Sequence, residues 1–312
     1  MSETFTHRPV LLNECIQALN IRPEGVYLDG TLGRAGHSRE IARRLTTGRL
    51  ICVDRDQAAL EAAEERLAQW RDRVTLVHSN FDQIDRILNE LSLSGADGML
   101  FDLGVSSPQL DDSTRGFSYM ADAPLDMRMD QSGGMTAADV VNQWPQEELR
   151  RILYQYGEER YAPQIAAAIV RRRQDRPIQT TMELVQIVRE AMPARALKEK
   201  QHPAKRSFQA IRIAVNSELD ALNEGLDAIF NCLAPGGRLC VITFHSLEDR
   251  LVKNKFRRWA QRCTCPPEQP ICTCGGVPKA RLITRKPIEA DAEELEVNRR
   301  SRSAKLRVLE KV

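Results

Sequence analysis

The chain has 312 residues, of which 42% are hydrophobic and 28% charged, and a formal net charge of +2. This composition excludes a disordered or fibrous chain, and the length exceeds one typical domain of roughly 100 to 200 residues, so one large domain with an insertion is expected. No apolar run approaches the roughly 18 residues that span a bilayer, which predicts a soluble, cytoplasmic protein without membrane contact.

Short β-rich runs alternate with amphipathic helical patterns over the first hundred residues, the signature of βαβ units in a parallel sheet. Residues 26–29 read as a first strand, 30–36 as a Gly-rich turn and 37–45 as a helix. A strand over 49–53 ends at Asp54, and a helix over 57–70, a strand over 74–78 and a helix over 83–91 follow. A fourth strand, 98–103, runs into Asp102-Leu-Gly-Val-Ser-Ser-Pro-Gln-Leu-Asp111.

After Pro108 the alternation stops, and helical periodicity without a convincing strand continues through segments such as 146–156 and 163–173. It resumes with a helix over 208–233, the turn Pro235-Gly-Gly237, a strand over 238–244 and a helix over 247–260. Residues 303–309 read as a final edge strand. The pattern predicts an α/β fold, a Rossmann-like core with a mostly parallel sheet and an antiparallel edge strand, interrupted by an inserted helical domain. The expected boundaries are 1–107 and 205–312 for the discontinuous core and 108–204 for the insert.

Gly30, Gly33 and Gly36 lie between a strand and a helix, where backbone approaches a ligand closely, or where glycines simply form a tight turn. Their spacing differs from the G-x-G-x-x-G that packs a pyrophosphate, which favours an adenosyl ligand over a dinucleotide. Asp54, at the end of the second strand, is placed to accept hydrogen bonds from both ribose hydroxyls. Phe81 walls the adenine or fills the core. Asp102 ends the fourth strand on the same ligand-binding edge.

Ser106, Ser107, Pro108 and Gln109 leave the sheet beside that edge, either as a loop whose acceptors grip an exocyclic amine or as a proline-stiffened linker. His245 opens Phe244-His-Ser-Leu-Glu-Asp249 at another strand end, as a catalytic or a structural histidine, and Ser246 with Asp249 fits a helix N-cap. Eight cysteines in such a chain read as reduced thiols or metal ligands. Cys263, Cys265, Cys272 and Cys274 are weak metal candidates, since C-x-C spacing is less typical of zinc than C-x2-C.

Charge is unevenly spread. Residues 250–312 hold 16 Lys and Arg against 7 Asp and Glu, and residues 171–212 hold 11 against 4. Such territories suit a polyanion such as RNA, or are solvated faces without a partner.

On these residues the sequence resembles the bacterial small-subunit ribosomal RNA cytosine-N(4) methyltransferase H family. The resemblance runs almost end to end, through His7-x-Pro-Val-Leu-Leu-x-Glu14, Tyr27-x-Asp-Gly-Thr31, Gly36-His-Ser38, Asp54-Arg-Asp56, the Asp102 to Asp111 segment, Arg115-Gly-Phe-Ser118, Pro124-Leu-Asp-Met-Arg-Met129, Tyr156-Gly-Glu-Glu159 and Phe244-His-Ser-Leu-Glu-Asp249. It implies S-adenosylmethionine as cofactor and the 4-amino group of a decoding-centre cytidine in 16S rRNA as substrate, within the small ribosomal subunit or a late assembly particle. It implies cofactor contacts at Ala35, Gly36, His37, Asp54, Phe81, Asp102 and Gln109, with Ala35 standing where many relatives have Gly. Asp102, Ser106, Ser107, Pro108 and His245 are the expected catalytic residues, and no metal belongs to the implied chemistry. Two other readings are a dinucleotide-dependent oxidoreductase, opposed by the missing G-x-G-x-x-G, and a non-catalytic RNA-binding assembly factor.

Overall fold

The computed structural model describes residues 9–263, 265, 269–271, 273 and 275–312. It divides into two compact units, one of residues 1–104 and 220–312 and one of residues 105–219.

The first unit begins with α1 (Leu12–Leu19), β1 (Val26–Asp29), α2 (Gly36–Ala42), β2 (Arg49–Asp54), α3 (Gln57–Leu67), β3 (Val74–His78), α4 (Ile84–Glu90) and β4 (Ala96–Asp102). The second carries α5 (Ser107–Asp111), α6 (Ala137–Gln143), α7 (Gln146–Gln155), α8 (Ala162–Asp175), α9 (Thr181–Ala191) and α10 (Lys205–Asn216). The chain returns through α11 (Glu218–Cys232) to β5 (Leu233–Thr243), α12 (Ser246–Ala260), β6 (Ala280–Leu282), α13 (Ala292–Val297) and β7 (Lys305–Lys311). Among the described residues no helix is long and apolar enough to cross a membrane.

The seven strands form one sheet in the order β3-β2-β1-β4-β5-β7-β6. The first five are parallel, while β7 runs antiparallel to both β5 and β6. Because side chains alternate across a strand, the sheet feeds two cores. Tyr27, Leu50, Cys52, Leu100, Cys240 and Ile242 face one, with α1, α2 and α3; Leu28, Ile51, Val53, Met99, Phe101, Leu239 and Val241 face the other, with α4, α11 and α12. A parallel sheet buried on both faces reads as near-continuous apolar runs, and the middle strands here do.

The second unit has its own core, with Leu149, Ile152, Ile165, Ile169, Leu184, Val188, Phe208 and Ile211 among its buried residues. Two of its helices, α6 and α9, start on capping boxes, Thr136 with Asp139 and Thr180 with Glu183. Phe208, Ala210 and Ile211 of α10 belong to this core, so residues 205–219 fold with the second unit rather than with the sheet, later than the expected boundary.

Three further expectations are corrected. The single helix over 208–233 is two helices, broken at Ser217, whose φ of 49° leaves the helical region. The final strand, expected over 303–309 at the edge, spans Lys305–Lys311 and lies inside the sheet, and the short β6 forms the rim. The turn at Pro235-Gly-Gly237 is a register shift inside β5: Ala96 pairs with Leu233 but Gly98 pairs with Arg238.

Candidate active site

Three aspartates close adjacent parallel strands at their C-terminal ends: Asp29 on β1, Asp54 on β2 and Asp102 on β4. Ligands of open α/β sheets bind at this edge, next to the first strand-to-helix turn.

That turn is held from both sides. The Gly30 N–H donates to the Leu100 carbonyl at 2.9 Å and the Leu32 N–H to the Val53 carbonyl at 3.0 Å. A β-carbon at Gly30 would stand 2.1 Å from the Phe101 ring, so only glycine lets the turn lie against β4. Gly33 has a φ of 50°, an added β-carbon there would only touch the Thr31 carbonyl at 3.9 Å, and its N–H donates to Asp54 Oδ2 at 2.8 Å. Asp54 Oδ1 accepts from the Asp56 N–H at 2.9 Å. Two N–H bonds leave a carboxylate with unused lone pairs, so Asp54 retains acceptor capacity at the turn.

Ala35 occupies the left-handed region (φ 58°) as the N-cap residue of α2. A side chain at Gly36 would meet Pro9 at 2.2 Å. His37 is buried, with Nε2 3.0 Å from the Val10 carbonyl, tying α2 to the segment that enters α1. Phe81 follows β3 in a short 3₁₀ turn and packs edge-on against Phe101, centroids 5.9 Å apart.

Asp29 belongs to a network that its type and spacing did not reveal. Its Oδ2 accepts from Ser38 Oγ at 2.6 Å and its Oδ1 from the Thr31 N–H at 3.2 Å, while Thr31 Oγ1 accepts from the Asp102 N–H at 2.6 Å. Burial pushes the Asp29 carboxyl up to about 6, against hydrogen bonds from Ser38 and Thr31 that lower it. Burial also raises Asp54. Asp102 is half-buried, but its Oδ1 is shut off from solvent and has no hydrogen-bond partner. Burial, then the charges of Asp29 and Glu248, push Asp102 up to about 8. A buried acceptor without a donor is costly unless a ligand supplies one, and a cationic ligand suits it best.

His245 caps α12. Its Nδ1 accepts from the Glu248 N–H at 3.4 Å, and Glu248 Oε2 accepts from the N–H groups of His245 at 3.2 Å and Phe244 at 2.8 Å. Nε2 lies 3.1 Å from Glu248 Oε1 yet out of line for a hydrogen bond. The cap is therefore His245 with Glu248, not Ser246 with Asp249; Asp249 instead takes a two-pronged bond from Arg307, at 2.7 and 3.1 Å, which holds its carboxyl low despite partial burial.

Ser106, Ser107, Pro108 and Gln109 fold in the second unit as the start of α5, within seven residues of Asp102 along the chain. Gln109 is buried, and its Oε1 accepts from the Ser106 N–H at 3.0 Å, which fixes the turn. Among the described cysteines, Cys15, Cys52 and Cys240 are buried, and burial raises all three thiols, Cys240 to about 12. Cys263 is exposed and Cys265 half-buried; Cys272 and Cys274 lie outside the described residues.

The profile of the MraW methylase family matches residues 4–312. Among curated relatives, "Ribosomal RNA small subunit methyltransferase H" of Brevibacillus brevis is 57% identical, covering 99% of this chain and 99% of its own. The protein of the same name from Symbiobacterium thermophilum is 55% identical, covering 99% of this chain and 97% of its own. Among solved structures, an rRNA methylase from Streptococcus thermophilus gives a TM-score of 0.43 at 10% identity, covering 96% of this chain and 93% of that one.

Proposed function

Because the chain belongs to the MraW methylase family, we propose that it methylates small-subunit ribosomal RNA, at the exocyclic 4-amino group of a cytidine in the decoding centre of 16S rRNA. The cofactor is S-adenosylmethionine, which when bound supplies an electrophilic methyl group on a positively charged sulfur. The residues at the strand edge fit such a group. Asp54 keeps acceptor capacity for ribose hydroxyls, Gly33 leaves room beside it, and Asp102 presents a buried Oδ1 that a donor or cation on the ligand satisfies.

The buried, partnerless Oδ1 of Asp102 is the observation that carries the reading. A cytosine amine is conjugated and weakly nucleophilic, so acceptors must hold its hydrogens and turn its lone pair toward the methyl group. Asp102 is the acceptor assigned to that task at the strand edge; in the second unit, Ser106, Ser107 and Pro108 are assigned to the substrate side by the family resemblance, in a turn that Gln109 fixes. Alignment of nucleophile and methyl group contributes up to about 7–11 kcal/mol in well-oriented reactions. Methylation of ring carbon would instead require a nucleophilic cysteine, and the described cysteines of the sheet, Cys52 and Cys240, are buried thiols held protonated. His245 acts through the start of α12, as the cap that sets the end of β5.

Nucleoside mass spectrometry of small-subunit rRNA from cells with and without the gene tests the assignment. N(4)-methylcytidine absent from the deletion and restored by the intact gene is the expected result. An unchanged N(4)-methylcytidine content, or loss of a carbon-methylated base in its place, overturns it.

A further inference from the structure

α12 begins at His245, three residues beyond Ile242, and Ile242 pairs in register with Asp102. The helix therefore leaves the ligand-binding edge of the sheet and runs about 22 Å from it, at 1.5 Å per residue. One side is buried, with Val252, Phe256 and Trp259 in the sheet's core. On the opposite side Ser246, Arg250, Asn254, Arg257 and Arg258 are exposed and Lys253 is half-exposed; these positions recur at helical spacing.

That face contains no acid. Glu248 is buried in the cap, and Asp249 is bound to Arg307. Lys255, on the flank, bonds to Asp227 at 2.6 Å. The side chains of Arg257 and Arg258 make no hydrogen bond or close ion pair among the described residues, nor does that of Arg262 just past the helix end. The strand edge has the opposite character, gathering Asp29, Asp54, Asp102 and Glu248. An edge lined by carboxyl groups offers no partner to the phosphates of a polyanion that presents one base to it, so those phosphates must be held by cations outside it.

We propose that the Lys253, Arg257 and Arg258 face of α12 docks the phosphate backbone of the RNA whose base enters the site. This rests on the reading of the chain as an rRNA methyltransferase. Contacts of this kind position RNA without reading sequence and are weakened by salt, because each releases condensed counterions.

The test is binding of the full chain to small ribosomal subunits from cells lacking it, over a potassium chloride series. The triple variant Lys253→Gln, Arg257→Gln, Arg258→Gln is expected to bind at least about 10-fold more weakly at physiological salt, and to lower the slope of log affinity against log salt by about two to three. Its affinity for S-adenosylmethionine and its thermal midpoint should stay at wild-type values. The charge-conserving triple Lys253→Arg, Arg257→Lys, Arg258→Lys should keep the slope, as should Arg39→Gln with Arg43→Gln, on α2 and just past its end, on the other face of the sheet. An unchanged slope in the glutamine triple, while the wild type binds and methylates subunits, overturns the docking surface alone. A wild type that neither binds nor methylates subunits overturns the rRNA reading and the surface with it. Loss of binding only to vesicles of phosphatidylserine and phosphatidylcholine, with RNA binding intact, assigns the face to a membrane and also overturns the proposal.

Discussion

Asp102 is the side chain of the strand edge with a buried, partnerless oxygen, and the proposed function rests on it. Its replacement by alanine removes the acceptor, and methyl transfer is expected to fall by about 10²–10⁴-fold in kcat/KM, the range for a positioned acid or base. A folded Asp102→Ala protein with wild-type turnover would remove Asp102 from the site. The raised carboxyl also has a stability consequence. The native state holds a proton that the unfolded chain loses near 3.8, so wild-type stability declines as pH rises from there toward about 8. Asp29, raised to about 6, couples to this decline, and the two carboxyls titrate as a pair. Thermal midpoints of Asp102→Asn relative to wild type should therefore rise between about pH 5 and about pH 9; a constant difference would contradict the raised carboxyl. Asp54→Ala, which removes an acceptor at the turn, should weaken S-adenosylmethionine binding by about 10- to 100-fold in calorimetry, the equivalent of about 1.5–3 kcal/mol for a charged hydrogen bond. Unaltered affinity would detach Asp54 from the cofactor. The placement of Asp54 and Asp102 at strand ends was legible in the sequence, because an apolar β-run that stops at an acid marks the C-terminal end of a buried parallel strand. The part of Asp29 was not, because it depends on Ser38 and Thr31 meeting it in space. Nor was the cap at His245, since a histidine in place of Ser or Thr gives a weak signal.

The glycine turn works only because β1, β2 and β4 lie close around it. Gly30→Ala forces a methyl group into the Phe101 ring, and overpacking of this kind costs about 1–3 kcal/mol. Phe101 is packed against Phe81, so the variant should lose both stability in urea and affinity for the cofactor. Wild-type values of both would show that the turn relaxes freely. The regular βα units were legible from alternating apolar periods, and the first three strands fall where those periods place them. Of the features that were not legible, β6 and the bulge in β5 are set by pairing rather than by local pattern. The three-residue β6 exists because Ala280 and Leu282 find β7. The break at Ser217 lies inside an amphipathic run that continues on both sides of it. The bulge in β5 begins at a Pro-Gly-Gly that looks like a terminating turn.

At the scale of the whole molecule, three cores and an uneven charge distribution follow from one chain. The late boundary at residues 105–219 reflects α10, whose apolar face completes the helical core, a choice that sequence periodicity alone leaves open. The net charge of +2 conceals a basic C-terminal fifth, part of which is the exposed face of α12, and an acidic strand edge where that helix begins. This arrangement suits an enzyme that holds a polyanion by its backbone while a single base meets carboxylates. The most direct test of that account is tritiated methyl transfer from S-adenosylmethionine, catalysed by the purified chain, to small ribosomal subunits from cells lacking it, followed by nucleoside analysis of the labelled RNA. The account predicts label in N(4)-methylcytidine; subunits that bind the chain yet acquire no label would contradict it and leave an RNA-binding assembly factor.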